Sequence, residues 1–434
     1  MDVVRYNFGK IVCVFNLLLC FLTPFEVSCF PVLNLVIRIL ILFSVIIALY
    51  YLVLYNNLKI TKDLKMFAVC VIVPFILSFI FGTLYIVIFE PNELSFDNIF
   101  LDTIGRVSNI IALFALMFLN QQISSMPFMI DEQFGCKVIK YYWWGCFISL
   151  FFCIWQFFSF YFGIIPYPFK TRSYIHSVGT LSGLFPGRIT GILEEPSYIV
   201  PFLFDFIFIT YFVGYNSIKK ICLVTALICL GATFSGSAGI EIIFLVFFAV
   251  FYLFQSFFYK KFNHKGLFIL IVLFVAFFTF ITLLNNKLNF LDLYTIRIIN
   301  ITASGRFSGV CLPFVEAPKS GFVNLLFGHG PKSYILLHNK FTINITSNSI
   351  YADLFWEQGL LGCFGMFIFY YFLYKGVKTS SCYGNLFVVL FIHFMISGLY
   401  RSDFASSRYY ILLLILIHLR RNSEFNAIHY KLLD

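Results

Sequence analysis

The sequence predicts an all-α, polytopic integral membrane protein with about twelve transmembrane helices. Three observations predict it. The chain of 434 residues is 61% hydrophobic and only 12% charged, too little polar material to cover a soluble domain of that size. Apolar runs of roughly 20 residues recur from end to end, the length a helix needs to cross hydrocarbon. Lys and Arg collect in short loops between alternate runs, the distribution that sets orientation in a bilayer. The short alternating segments of barrel strands are missing.

Hydropathy places spans at residues 8–25, 32–56, 66–89, 99–119, 139–165, 196–214, 220–234, 238–259, 266–285, 350–374, 382–400 and 409–420, in a single integral membrane domain over 1–434. No small-residue cleavage site follows the first run, so it is read as a retained span and not as a signal peptide. The fourth run is interrupted by Asp102 and Arg106. They lie four apart on one helical face, a spacing that pairs them with each other.

Seventeen basic residues fall in the loops of one side, nearly all of them short, which makes that side cytoplasmic with both termini. Two long loops, 166–195 and 286–349, lie on the opposite, outer side. The second is too long for a simple connector and is expected to carry structure of its own. The outer side holds eleven basic residues, and six are arginines, Arg172, Arg188, Arg297, Arg306, Arg401 and Arg408, against three arginines among the seventeen inside. Arginine presents a planar fork that grips phosphate oxygens bidentately, where lysine is a point charge. An arginine-rich outer face suits a phosphate or pyrophosphate. The basic residues are dispersed between spans, so the net charge of +10 does not signal nucleic acid.

The twelve cysteines form neither a CxxC nor a Cys/His cluster, and they read as small hydrophobes in helix packing. Cys29 and Cys311 are the pair that shares the outer side, where a disulfide could join them. No metal or cofactor is expected.

The polar motifs gather on the outer face. The first is Gly187-Arg188-Ile-Thr-Gly191-Ile-Leu-Glu194-Glu195-Pro196-Ser197-Tyr198, where a polar loop re-enters an apolar run. Charges are costly near hydrocarbon and are kept there for a purpose. Pro196 suits a first helical turn, which puts Glu195 at the head of a span, either as a reactive carboxylate or as a helix cap favoured by the dipole. The second is the small-residue turn Ser235-Gly236-Ser237-Ala238-Gly239. The third runs through the long loop as Ser304-Gly305-Arg306, Gly328-His329-Gly330 and Ser347-Asn348-Ser349. It enters the next span at Asp353 and Glu357-Gln358-Gly359-Leu-Leu-Gly362. Glu357 would lie about two turns inside that span, where a carboxylate needs a partner. His393, deep in a later span, reads as a hydrogen-bonded packing residue.

These pieces, in this order and on this topology, resemble the Wzy-type O-antigen polymerases and the related O-antigen ligases. The likeness rests on Arg188-x-x-Gly191-x-x-x-Glu195-Pro196-Ser197, on Ser235-Gly236-Ser237-x-Gly239, and on Arg306, Gly328-x-Gly330, Asn348 and Glu357-x-Gly359-Leu-Leu-Gly362. It covers roughly residues 165–365. The resemblance implies an all-helical fold like the GT-C-type lipid-dependent glycosyltransferases. It implies a Gram-negative inner membrane and an active site facing the periplasm. It also implies metal-independent transfer of a growing glycan from undecaprenyl pyrophosphate onto the terminal sugar of the next lipid-linked repeat. A lipid-linked oligosaccharide is then both donor and acceptor, in contact with membrane lipid, with a flippase and a chain-length regulator as candidate partners. Ligases of this kind carry a His before the Asn that closes the long loop. Here the position is Ser347, and His338 lies ten residues upstream of Asn348, which favours polymerase over ligase. A flippase or other transporter is the rival from another class, but the chain has no internal repeat and has a long outer loop.

In this reading Arg188 and Arg306 bind the donor pyrophosphate, with Arg172, Arg297, Arg401 and Arg408 in support, and Asn348 and His338 in the substrate region. Glu195 is the first candidate for the base that activates the acceptor hydroxyl. Glu357 is the second, or else it holds an arginine in place.

Overall fold

The computed structural model describes residues 2–54, 60–89, 96–124, 131–169, 189–213, 217–233, 241, 305–334, 347, 349–378, 381–401 and 406–423. These residues are almost entirely helical, and the β-structure among them is one isolated antiparallel bridge, Ser28 to Leu193. The helices are α1 (Asp2–Leu22), α2 (Pro31–Leu54), α3 (Lys62–Phe67), α4 (Val73–Phe89), α5 (Phe96–Ser124), α6 (Asp131–Phe162), α7 (Pro196–Val213), α8 (Ser217–Gly231), α9 (Gly305–Glu316), α10 (Phe322–Phe327), α11 (Ile350–Tyr374), α12 (Cys382–Tyr400) and α13 (Ser407–Ser423). A π turn, Ala68–Ile72, joins α3 to α4 without a break in direction.

Five stretches among the described residues are long and apolar enough to cross a membrane: Pro31–Val53, Lys62–Gly82, Thr103–Gln122, Phe134–Phe162 and Cys382–Tyr400. Gly9–Phe25 and Pro196–Phe212 are shorter apolar helices. They mark the chain as a membrane protein, because a helix meets its own backbone hydrogen bonds where no water is present. Helix α2 shows the lipid-facing pattern most clearly. Its exposed side chains include Val32, Leu35, Ile39, Phe43, Ile46 and Val53, a face that water would not tolerate at this size.

The chain forms two compact units. The first comprises Met1–Thr23, Leu35–Tyr142 and Ile301–Leu432, and the second Pro24–Asn34, Trp143–Asn300 and Leu433–Asp434. In the first unit α11 is the central element, touching α4, α9, α10, α12 and α13. The start of α11 follows from its sequence. Ser347 accepts from the Ser349 N–H at 3.0 Å and meets the Asp353 carboxylate, an acid in the first turn where the helix dipole favours it. Ser381 starts α12 by accepting from the Gly384 N–H at 3.0 Å.

The region 305–327, inside the long loop, is largely helical: α9 leads through a 3-10 turn, Ala317–Ser320, into α10. Arg306 lies in the first turn of α9. In the second unit Trp143 donates its indole N–H to Thr210 at 2.7 Å and stacks on Phe206, tying α6 to α7. All twelve cysteines are free thiols, so Cys29 and Cys311, the pair that a disulfide could have joined, are not linked.

Candidate functional site

The first unit holds a polar knot around a break in α11. Gly359 adopts φ 63° and ψ −159°, a conformation closed to other residues without strain, and the helix is interrupted there. The carbonyls of Trp356 and Glu357 are thereby diverted from their regular partners. Trp356 accepts from the His329 N–H at 2.9 Å and Glu357 from the Gly330 N–H at 3.0 Å. The Ser78 hydroxyl of α4 also donates to the Glu357 carbonyl. Gly328-His329-Gly330 and Glu357-Gln358-Gly359, 29 residues apart in the chain by the numbering of Gly328 and Glu357, are thus one structural element.

Three glycines make the approach feasible. A Cβ on Gly359 would lie 2.6 Å from the Gly328 nitrogen, one on Gly328 at 2.5 Å from the Gln358 nitrogen, and one on Gly82 at 2.6 Å from the His329 carbonyl carbon. All three are backbone contacts, which cannot swing aside.

Glu357 is buried, and its carboxylate accepts from Arg106 of α5 at 3.1 Å. Arg106 is buried as well. The sequence reading paired Arg106 with Asp102, but the described bond runs to Glu357, 251 residues away. An isolated charge in a low-dielectric interior is far costlier than one with a counter-charge, so each of these residues explains the other. His329 stacks on Trp356, with ring centroids 3.7 Å apart. Its Nδ1 lies 3.3 Å from the Trp356 carbonyl and must donate to it, since a carbonyl only accepts. Burial lowers the His329 pKa to about 4, against a smaller upward pull from that hydrogen bond. The ring is therefore neutral at pH 7. Two buried donors here, Arg106 Nε and Trp356 Nε1, have no hydrogen-bond partner among the described residues. Donors without acceptors are what a site for an oxygen-rich ligand offers.

The second unit holds the re-entrant turn that leads to Glu195. Gln156 of α6 organises it: its side-chain carbonyl accepts from the N–H groups of Thr190 and Gly191, both at 2.8 Å, and its amide donates to the Thr190 hydroxyl at 3.3 Å. Gly191 has φ 57°, and a Cβ there would lie 3.0 Å from the Cys153 sulfur. Backbone bonds from Cys29 to Ile192 (2.8 Å) and from Glu194 to Val27 (3.2 Å) hold the turn's other edge. Glu195 then stands directly before Pro196, the first residue of α7, half-buried, with the Ser197 hydroxyl donating to its carboxylate at 3.3 Å. Beside this turn Trp155, Tyr167 and Phe169 pack edge to face. Burial raises the pKa of the Tyr167 hydroxyl and of the Cys29 thiol.

The remaining predicted residues divide into three groups. Arg172, Arg188, Arg297, His338 and Asn348 lie outside the described residues, as does the 235–239 turn. Arg306 is placed by its helix alone. Arg401 and Arg408 are buried, and Arg408 donates to the Ser397 hydroxyl and to His393 Nε2, each at 3.1 Å, so its guanidinium is engaged between α12 and α13. His393 accepts that bond as a neutral ring.

The sequence reading missed Gln156 as the anchor of the turn and Arg106 as the partner of Glu357. The signal for both was present: a strong hydrogen-bonding or charged group inside an apolar run needs a partner somewhere in the fold. Among the described residues no group of three or more His, Cys, Asp and Glu side chains could hold a metal ion. Compared with protein-family models, curated proteins and solved structures, the chain matches none.

Proposed function

We propose that this chain is an O-antigen polymerase of the bacterial inner membrane, with about twelve spans in a GT-C-like arrangement, both termini cytoplasmic and its chemistry on the periplasmic face. The observation that carries the reading is the ordered set of outer-face motifs from Arg188 to Gly362. The meeting of its Gly328-x-Gly330 and Glu357-x-Gly359 pieces through backbone hydrogen bonds adds support. A set of unrelated loop residues has no reason to converge in this way.

The reaction joins a sugar hydroxyl to an anomeric carbon. The acceptor oxygen forms the new glycosidic bond, the bond from the anomeric carbon to the pyrophosphate breaks, and the hydroxyl proton leaves to a base. Glu195 takes that proton in this reading. Its carboxylate is half-buried rather than sealed, and the Gln156-braced turn fixes its position. Arg188 and Arg306 carry the negative charge that develops on the departing pyrophosphate. Glu357 is a positioning residue, because Arg106 already engages it in a buried pair. Ser347 stands where a ligase would carry histidine, and its hydroxyl is bound to Asp353, which favours polymerisation over ligation.

The test is glycan laddering in cells that depend on this protein for long-chain polymer. Arg188→Ala and Glu195→Gln, each expressed at the normal level, are expected to stop at a single repeat. Normal long-chain glycan from well-expressed Arg188→Ala overturns the pyrophosphate role.

A further inference from the structure

The opposite end of α11 from the Gly359 knot presents a feature that the proposed function does not use. Three helices of the first unit bring cations together there: Lys62 and Lys65 on α3, Lys375 and Lys378 after α11, and Arg420 and Arg421 in the last turn of α13. Arg420 donates to the Phe372 carbonyl at 3.2 Å, and its guanidinium lies 4.7 Å from the centroid of the Phe372 ring. The Lys62 ammonium lies 5.4 Å from the same ring, and that of Lys375 lies 5.8 Å from the Tyr371 ring. The Lys378 N–H donates to Ser423 at the end of α13, closing the group.

Helices α3, α11, α12 and α13 contain three acids, and Asp353 and Glu357 belong to the far half of α11. The remaining one, Asp63, is buried and engaged by both Arg420 and Arg421. All four lysines are exposed, and none has a carboxylate partner among the described residues.

Directly along α11 from Lys375 runs an exposed apolar stripe, Phe364, Phe367, Ile368 and Tyr371, at the i, i+3, i+4, i+7 spacing of one helix face. A cationic end continuous with an apolar stripe is complementary to one kind of molecule: a negative headgroup on an acyl chain. We propose that this end of the first unit binds an anionic phospholipid, its phosphate at Lys62 and Lys375 and its chain along the α11 stripe. Free phosphate would leave the stripe unmatched, and a zwitterionic lipid would bring its own cation into a group that has no spare acid among the described residues. The proposal is independent of the polymerase reading.

The experiment uses the full chain in detergent, with dioleoyl phosphatidylglycerol, dioleoyl phosphatidylcholine and millimolar inorganic phosphate as separate additions. Lipid retention is read by native mass spectrometry and protection by the unfolding temperature. Phosphatidylglycerol is expected to be retained and to raise that temperature, and the other two to do neither. The exposed pair K62Q/K375Q is expected to weaken phosphatidylglycerol binding about tenfold, with unfolding in detergent alone unchanged, and K62R/K375R to restore it. Equal retention of the two lipids, protection by phosphate alone, or undiminished binding by K62Q/K375Q each overturns the proposal. Should K62Q/K375Q fail to fold, loss of retention by folded K62R/K375R overturns it equally.

Discussion

Glu357, inside the first half of α11, and Glu195, directly before α7, are both carboxylates of apolar helices, yet their surroundings differ in kind. Glu357 is sealed in, ion-paired to Arg106, and its own backbone carbonyl anchors the Gly330 N–H and the Ser78 hydroxyl. Glu195 is half-buried, touched by the Ser197 hydroxyl, and held in place through its chain neighbours by Gln156. The first residue is a structural member: its side chain engages Arg106 of α5, and its carbonyl engages α4 and the Gly328–Gly330 turn. The second is a side chain presented by a rigid turn. Burial and partnership, more than position in a motif, separate a carboxylate that holds from one that can react.

The sharpest way to break this contrast is to remove one charge from each pair in turn. Glu357→Ala or Arg106→Ala leaves the other charge buried alone and should cost about 3–5 kcal/mol. Replacing both with apolar side chains of similar volume should recover most of that loss. Glu195→Gln should leave the unfolding temperature in detergent close to wild type. If Glu357→Ala is as stable as Glu195→Gln, the distinction fails.

A smaller effect, about 2–4 kcal/mol, is expected from Gly328→Ala or Gly359→Ala, since each Cβ would meet backbone atoms well inside van der Waals contact. Protease resistance of the purified protein measures it. Unchanged resistance in Gly359→Ala would show that the break in α11 does not need the second α-hydrogen of glycine.

The smallest effect concerns pH. His329 is held neutral with its pKa lowered to about 4, below the value near 6.5 that it has in an unfolded chain. Between those values the unfolded state binds the extra proton, so stability is complete above pH 6.5 and falls as pH drops toward 4, by up to about 3 kcal/mol. Unfolding temperatures recorded across that window should slope for the wild type and flatten for His329→Asn. The Glu195 turn of the second unit contains no histidine, so its local opening, read by hydrogen exchange at Thr190 and Gly191, should not follow this slope.

Much of the fold was legible because hydrocarbon dictates it: long apolar runs become helices, and five of the described ones meet the demands of a bilayer. The Gly328-x-Gly330 and Glu357-x-Gly359 motifs stood out separately, since glycines at short spacing inside polar stretches signal a backbone constraint. Their meeting did not, because spacing along a chain carries no distance across it. Arg106 shows the same limit. With only local geometry to use, Asp102 four residues away is the natural partner, whereas the observed one comes from a helix late in the chain. Asp63 with Arg420 and Arg421, more than 350 residues apart, lay equally beyond local spacing.

The broken helix α11 also imposes an order of assembly. Its two diverted carbonyls find their partners on Ser78, His329 and Gly330, all of which are synthesised before residue 350. A nascent α11 therefore meets a receptor that has already been made. Until it docks, it carries unmet backbone groups, which are costly wherever water is excluded. The interruption at Gly359 thus acts as a checkpoint in biogenesis: the segment has all its backbone partners only after the helices made earlier have taken their places around it.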